Sequence, residues 1–136
     1  MNLHQNPHVL ITGGAGFIGS HLADTLLDMG WQVTVLDNLD PYYAVELKRE
    51  NIAPHLSNPN YHFVEGDIQD SELVDTLTGS FDAIVHLAAR AGVRPSIKDP
   101  IAYMDTNVKG TQNLLELARA REIKQFVFAS SAVCMA

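Results

Sequence analysis

A doubly wound α/β fold, with helices covering both faces of a parallel sheet, is predicted by three observations. Short continuous apolar runs recur along the chain, as expected of strands buried on both faces. Segments of helical period separate them, the alternation that builds βαβ units. A glycine-spaced turn, Thr12-Gly13-Gly14-Ala15-Gly16-Phe17-Ile18-Gly19, joins the first run to the first helical segment. Right-handed crossovers then give the strand order 3-2-1-4-5.

Val9-Leu10-Ile11 is the first strand, ended by the glycine turn. Phe17, Ile18, Leu22, Leu26 and Met29 recur at helical spacing, and Gly30 closes that helix. Val33-Thr34-Val35-Leu36 is a β-branched second strand ending at Asp37. Pro41, Pro54 and Pro59 interrupt the next stretch, leaving room for a short helix over Val45–Asn51. Tyr61–Val64 is the third strand. Ser71–Leu77 is a short helix with Ser71 as its expected N-cap. Ala83–Leu87 is the fourth strand. A loop with Gly92 and Pro95 leads to a long helix over roughly Ile101–Arg121. Phe126–Phe128 is the fifth strand, so the reading is one domain over residues 1–136, stopping before a sixth strand.

The glycine turn carries the chemistry. Gly13, Gly16 and Gly19 are spaced G-x-x-G-x-x-G between a strand and a helix. Gly13 permits the tight turn, Gly16 admits a pyrophosphate to the backbone, and Gly19 lets the helix pack close. The helix N-terminus offers free N–H groups and partial positive charge to phosphates. Asp37 stands 18 residues after Gly19, where a carboxylate accepts the hydroxyls of an adenosine ribose and repels a 2′-phosphate. This Rossmann-type pattern favours NAD over NADP. The plainer reading is that the glycines only make a turn and Asp37 is a solvated strand end. Asp67, after the third strand, could meet an adenine amino group or merely cap a turn. Leu87, Ala88 and Ala89 offer a flat floor for a cofactor or simple packing.

Bulk properties fit this picture. The 136 residues suit one domain, and 46% hydrophobic with 18% charged is a globular composition. Sixteen acids against nine bases give a net charge of −7, which argues against a nucleic-acid surface. The single cysteine, Cys134, allows no internal disulfide and fits a cytoplasmic protein. No apolar run reaches the ~20 residues that span a bilayer, and the polar start lacks a signal-peptide pattern. Among six histidines only His4 and His8 have helical ligand spacing, and they flank Pro7, so no metal site is expected. Arg90 and Arg94 lie in a loop near the expected crevice, as substrate contacts or as solvated side chains.

Thr12–Leu22 resembles the opening of the extended short-chain dehydrogenases/reductases, in the NAD-dependent nucleotide-sugar epimerase/dehydratase group. Asp37-Asn38, Glu65-Gly66-Asp67-Ile68, His86-Leu87-Ala88-Ala89 and Asn107-Val108-Lys109-Gly110-Thr111 agree with it. Asp37–Tyr43 and Ala91–Ser96 look most like UDP-glucuronate 4-epimerases. The resemblance implies an NAD site lined by Gly13, Gly16, Phe17, Ile18, Gly19, Asp37, Asn38, Asp67, Ile68, Leu87, Ala88, Ala89 and Asn107. It also implies that Ser130-Ser131 matches a serine segment, with Ser131 the candidate to hydrogen-bond the sugar oxygen being oxidised. In such enzymes a tyrosine takes the hydroxyl proton while hydride moves to NAD.

The departures from the family are specific. After the serines the family continues Val-Tyr-Gly, whereas this sequence reads Ala132-Val133-Cys134-Met135-Ala136. Positions four after Tyr42, Tyr43, Tyr61 and Tyr103 hold Glu46, Leu47, Glu65 and Asn107, so no Tyr-x-x-x-Lys pair is present. The expectation is an N-terminal portion that binds NAD without turning over a UDP-sugar. The alternatives are a stand-alone nucleotide-binding or interaction module, and an enzyme completed by another chain. An uncovered fifth strand would favour homo-oligomers through the sheet edge.

Overall fold

β1 (His8–Thr12) is buried along its whole length because it lies at the centre of the sheet. β2 (Gln32–Asp37) and β4 (Ala83–His86) flank it. β3 (Tyr61–Glu65) and β5 (Gln125–Phe128) form the two edges. All pairs are parallel and the order is β3-β2-β1-β4-β5, as the alternation of elements predicts. The computed structural model describes residues 6–42 and 44–130.

The strands alternate side chains between two cores, which explains their unbroken apolar runs. Leu10, Leu36 and Ile84 point to one face, where Val74, Leu114 and Leu117 cover them. Val9, Ile11, Val33 and Val35 point to the other, against Ala15, Ala23 and Ile52. The helices on that second face are α1 (Phe17–Asp28) and α2 (Val45–Ile52), followed by a 3-10 turn (Ala53–His55). α1 stops where Gly30 takes φ +84, the expected glycine ending.

Three local expectations are corrected. α3 (Ser71–Thr76) is capped by Asp70, whose carboxylate accepts from the Leu73 N–H at 3.1 Å; Ser71 is the first helical residue. The Gly92–Pro95 segment is more than a loop: Val93–Lys98 forms α4, with Pro95 in its first turn, where its missing N–H costs no helical bond. The long helix is composite. α5 (Pro100–Met104) starts from an Asp99 cap with Pro100 at the first position. A π-helical turn (Asp105–Gly110) follows, and then α6 (Thr111–Ala120). At Gly110 a Cβ would come within 2.5 Å of Ile68 Cδ1, so the widened turn sits tight on the loop after β3.

β5 is an apolar edge. Val127 and Phe128 are 55% and 57% exposed, while Phe128 also stacks on the His86 ring at 5.6 Å. Among the described residues no helix is long and apolar enough to cross a membrane.

Candidate functional site

The C-terminal ends of β1, β2, β3 and β4 converge on an open cleft. Ligands of doubly wound sheets bind at this edge, where the strand order reverses. Gly13, Gly16, Asp37, Asn38, Asp67, Ile68, Leu87, Ala88 and Ala89 all line it. Nine residues chosen from four separate sequence segments therefore share one wall.

The glycine turn is tightly constrained. Gly13 has φ +72, and a Cβ there would stand 2.8 Å from the Ala88 backbone nitrogen, so only glycine fits on both counts. Its N–H donates to Leu36 O at 2.9 Å, and its carbonyl accepts from the Gly16 N–H at 3.1 Å. At Gly19 a Cβ would meet Gly13 O and Gly14 Cα at 2.6 Å; the helix start packs on the turn itself rather than on the strand. Phe17 and Ile18 stand on the first turn of α1, 76% and 68% exposed. That turn has neither a side-chain cap nor an acidic residue. Its positive end is thus left for an anion, which fits a bound diphosphate.

Asp37 is buried rather than solvated. One carboxylate oxygen accepts from the Ala15 N–H at 3.0 Å and the other from the Leu39 N–H at 2.8 Å. Lys48 Nζ lies 3.7 Å away, with only 12% of its side chain exposed. Each oxygen keeps acceptor capacity, so the residue both ties β2 to the glycine turn and offers acceptors at the cleft. Asp67 accepts from the Gln69 N–H at 2.9 Å, which is a turn cap, and from Asn38 Nδ2 at 3.2 Å. It therefore caps a turn and also lines the cleft.

Asn107 occupies a different position. Its Oδ1 accepts from the Arg90 N–H at 2.8 Å and its Nδ2 donates to Arg90 O at 3.0 Å. It clamps the end of the loop after β4. Arg90 itself lines the cleft, with its Nε donating to Thr106 at 3.2 Å and its guanidinium 3.8 Å from Asp40. Lys48, Thr106 and Tyr103 also line the cleft and had no motif to announce them, as does Asp40, which falls in the Asp37–Tyr43 stretch but was not expected at the site. Lys48 falls on α2, inside the short helix expected over Val45–Asn51, but nothing in the sequence announced its approach to Asp37. The Tyr103 hydroxyl donates to Ala91 O at 2.6 Å, so it serves the loop. Ser130 follows β5 and is exposed, whereas Ser131 and Cys134 lie outside the described residues. Among the described residues no group of three or more His, Cys, Asp and Glu is placed to hold a metal ion.

Beneath the floor, His86 is buried, with Nδ1 2.6 Å from Thr12 Oγ1 and Nε2 2.8 Å from Thr111 Oγ1. Burial pushes its imidazole down to about 4 from the ordinary 6.5.

Comparison with known proteins agrees with this geometry. Residues 9–136 match the profile of the NAD dependent epimerase/dehydratase family. The chain is 42% identical over 126 residues to a UDP-glucose 4-epimerase of Halalkalibacterium halodurans, covering 91% of this chain and 34% of that protein. It is 41% identical over 126 residues to a UDP-glucuronate 4-epimerase of Thermodesulfobacterium geofontis, covering 91% and 39%. The crystal structure of a Thermus thermophilus UDP-glucose 4-epimerase in complex with NAD superposes with a TM-score of 0.75 at 39% identity, over 91% of this chain and 37% of that one. The chain thus spans little more than a third of the length of the relatives it matches.

Proposed function

Because the chain belongs to the NAD-dependent epimerase/dehydratase family, we propose that it is the cofactor-binding part of a nucleotide-sugar epimerase or dehydratase and holds NAD across the cleft above β1. The observation that carries this reading is the approach of Gly13 to Ala88, with the buried Asp37 carboxylate at the neighbouring strand end. The first turn of α1 would face the diphosphate. Asp37 would accept the ribose hydroxyls, Asp67 and Asn38 would lie at the adenine end, and Leu87-Ala88-Ala89 would floor the nicotinamide side. Bound NAD supplies the hydride acceptor of the reaction. The carboxylate of Asp37 disfavours a 2′-phosphate, and this selects NAD over NADP.

The same reading makes this stretch of chain inactive on sugars by itself. A sugar hydroxyl must lose a proton as hydride leaves, and none of the four tyrosines has a lysine four positions on. Positioned acid–base groups contribute about 10²–10⁴-fold to such steps. UDP-glucose and UDP-glucuronate epimerases match at nearly equal identity, so the substrate class proposed is a nucleotide sugar. A single cysteine fits a reducing, cytoplasmic setting. The exposed β5 edge would be a self-association surface.

Calorimetric titration of the purified chain with NAD and with NADP tests the proposal. Saturable NAD binding with much weaker NADP binding is the expected result. An intact fold that takes up neither nucleotide would overturn it.

A further inference from the structure

We propose that His86 is a positioning residue of the cleft: as the neutral imidazole protonated on Nε2, it links the two anchors that hold the Leu87–Arg90 floor. That the floor receives a cofactor rests on the NAD reading above; the link itself rests on hydrogen bonds alone. The first anchor is Thr12, whose Oγ1 accepts from the Leu87 and Ala88 N–H groups, both at 3.2 Å. The second is Asn107, whose side-chain amide clamps the Arg90 backbone on both its N–H and its carbonyl. His86 lies between them, 2.6 Å from Thr12 and 2.8 Å from Thr111, and Thr111 donates to the Asn107 carbonyl at 2.7 Å.

The direction of every bond follows from counting protons. A threonine hydroxyl has one proton to give and two lone pairs to offer. Thr12 Oγ1 already accepts twice, so its proton goes to His86 Nδ1. That nitrogen is therefore the acceptor, and the ring carries its proton on Nε2 and donates it to Thr111 Oγ1. Thr111 then gives its own proton to Asn107 O. The opposite tautomer would need the Thr111 proton for Nε2 and would leave the Asn107 carbonyl without its 2.7 Å donor. An imidazolium would press a third donor on Thr12. Only one protonation state satisfies all the contacts, and it runs as a one-way chain from the start of the floor to its end. The Thr111 back-bond to the carbonyl four residues earlier lies on the π-helical turn, a bond that bends helices. The widened turn thereby brings the Asn107 amide to Arg90.

The test begins with the unmodified chain. Nitrogen-15 correlation spectra of its histidine rings at neutral pH should show His86 with an unprotonated, acceptor Nδ1 and a protonated Nε2. The other tautomer, or an imidazolium, overturns the proposal. Two variants then separate the anchors. His86→Asn keeps an acceptor for Thr12 but is too short for Thr111. His86→Gln can reach Thr111 but offers Thr12 no acceptor. After correction for global stability, amide exchange should quicken about tenfold at Arg90 in the first and at Ala88 in the second, the effect of one lost hydrogen bond. Equal acceleration at both amides in both variants, or none, overturns the link. NAD should bind each variant about tenfold more weakly. If the unmodified chain binds NAD and both variants bind it as tightly, the positioning role fails. If the unmodified chain binds no NAD, it is the NAD reading that fails, and the ring spectra with the exchange pattern still decide the link.

Discussion

The carboxylate of Asp37 accepts a hydrogen bond from the Ala15 N–H at 3.0 Å, joining the end of β2 to the glycine turn across 22 residues of sequence. With its other oxygen it accepts from Leu39 at 2.8 Å. The acidic residue that would choose the nucleotide is therefore also a structural tie. Asp37→Ala removes the partner of two buried N–H groups and should cost about 2 kcal/mol or more of unfolding free energy. Asp37→Asn keeps one oxygen and should cost about half that, while still weakening NAD about tenfold through loss of charge. Urea unfolding and calorimetry on both variants measure the two effects. An Asn variant that binds NAD as well as the parent would remove the charge from the recognition scheme.

The glycines of the turn should respond differently to one added methyl group. Gly13→Ala meets both a positive φ and the Ala88 backbone at 2.8 Å, and neither can yield cheaply. It should lose about 2–4 kcal/mol of stability. Gly16 has φ −76, and its Cβ would meet only Gly13 O, at 3.3 Å. Gly16→Ala should shift stability by no more than about 1 kcal/mol, yet weaken NAD because the methyl group projects into the cleft. Melting curves and NAD titration of the pair decide this, and equal destabilisation of the two would contradict it.

Acid should destabilise the fold before it protonates the bulk of the carboxylates. The His86 ring titrates near 4 in the folded chain because burial disfavours its charged form, against 6.5 when exposed. Above 6.5 both states are neutral and the group contributes nothing to pH dependence. As pH falls, the unfolded chain takes up the proton first, so stability declines until the folded pKa is passed. Between pH 7 and pH 5 the loss should be about 2 kcal/mol. His8 is also lowered by burial and by the charge of His62, with Asp82 opposing, and adds a loss of the same sign. Urea midpoints at the two pH values, for the parent and for His86→Gln, isolate the His86 share. A parent whose stability is flat over this interval would refute the assignment.

The β5 edge should drive concentration-dependent association. Val127 is 55% exposed on β5, which among the described residues is an edge of the sheet. Sedimentation velocity should show mass rising with concentration, and Val127→Lys should shift the distribution towards monomer, since a charge on an edge strand opposes pairing. Unchanged association in the variant would place the contact elsewhere. Phe128 is the poorer site for this test, because its ring stacks on His86.

The sheet, its strand order and the outline of the cleft are legible in the residue pattern alone. Those features rest on information carried by short stretches of chain: apolar runs buried on two faces, glycines at fixed spacing, and an acid at a strand end. Local cap chemistry was nearly within reach, but Asp70 and Ser71 are both good caps, and only the bond to the Leu73 N–H separates them. The rest depends on how the folded domain brings distant segments together. Asn107 belongs to a legible motif, but its side chain turns to Arg90, 17 residues away. Lys48 has no motif, yet it stands beside Asp37 because α2 packs back along α1. His86 reads as one more residue of an apolar strand, and becomes the link between two anchors only when Thr12 and Thr111 are brought to its two nitrogens, one across 74 residues and the other across 25. A hydrogen bond acts over about 3 Å, so a polar side chain's partner is set by which distant backbone the sheet and helices deliver to it. The pattern of apolar residues fixes that delivery only after the whole domain has closed.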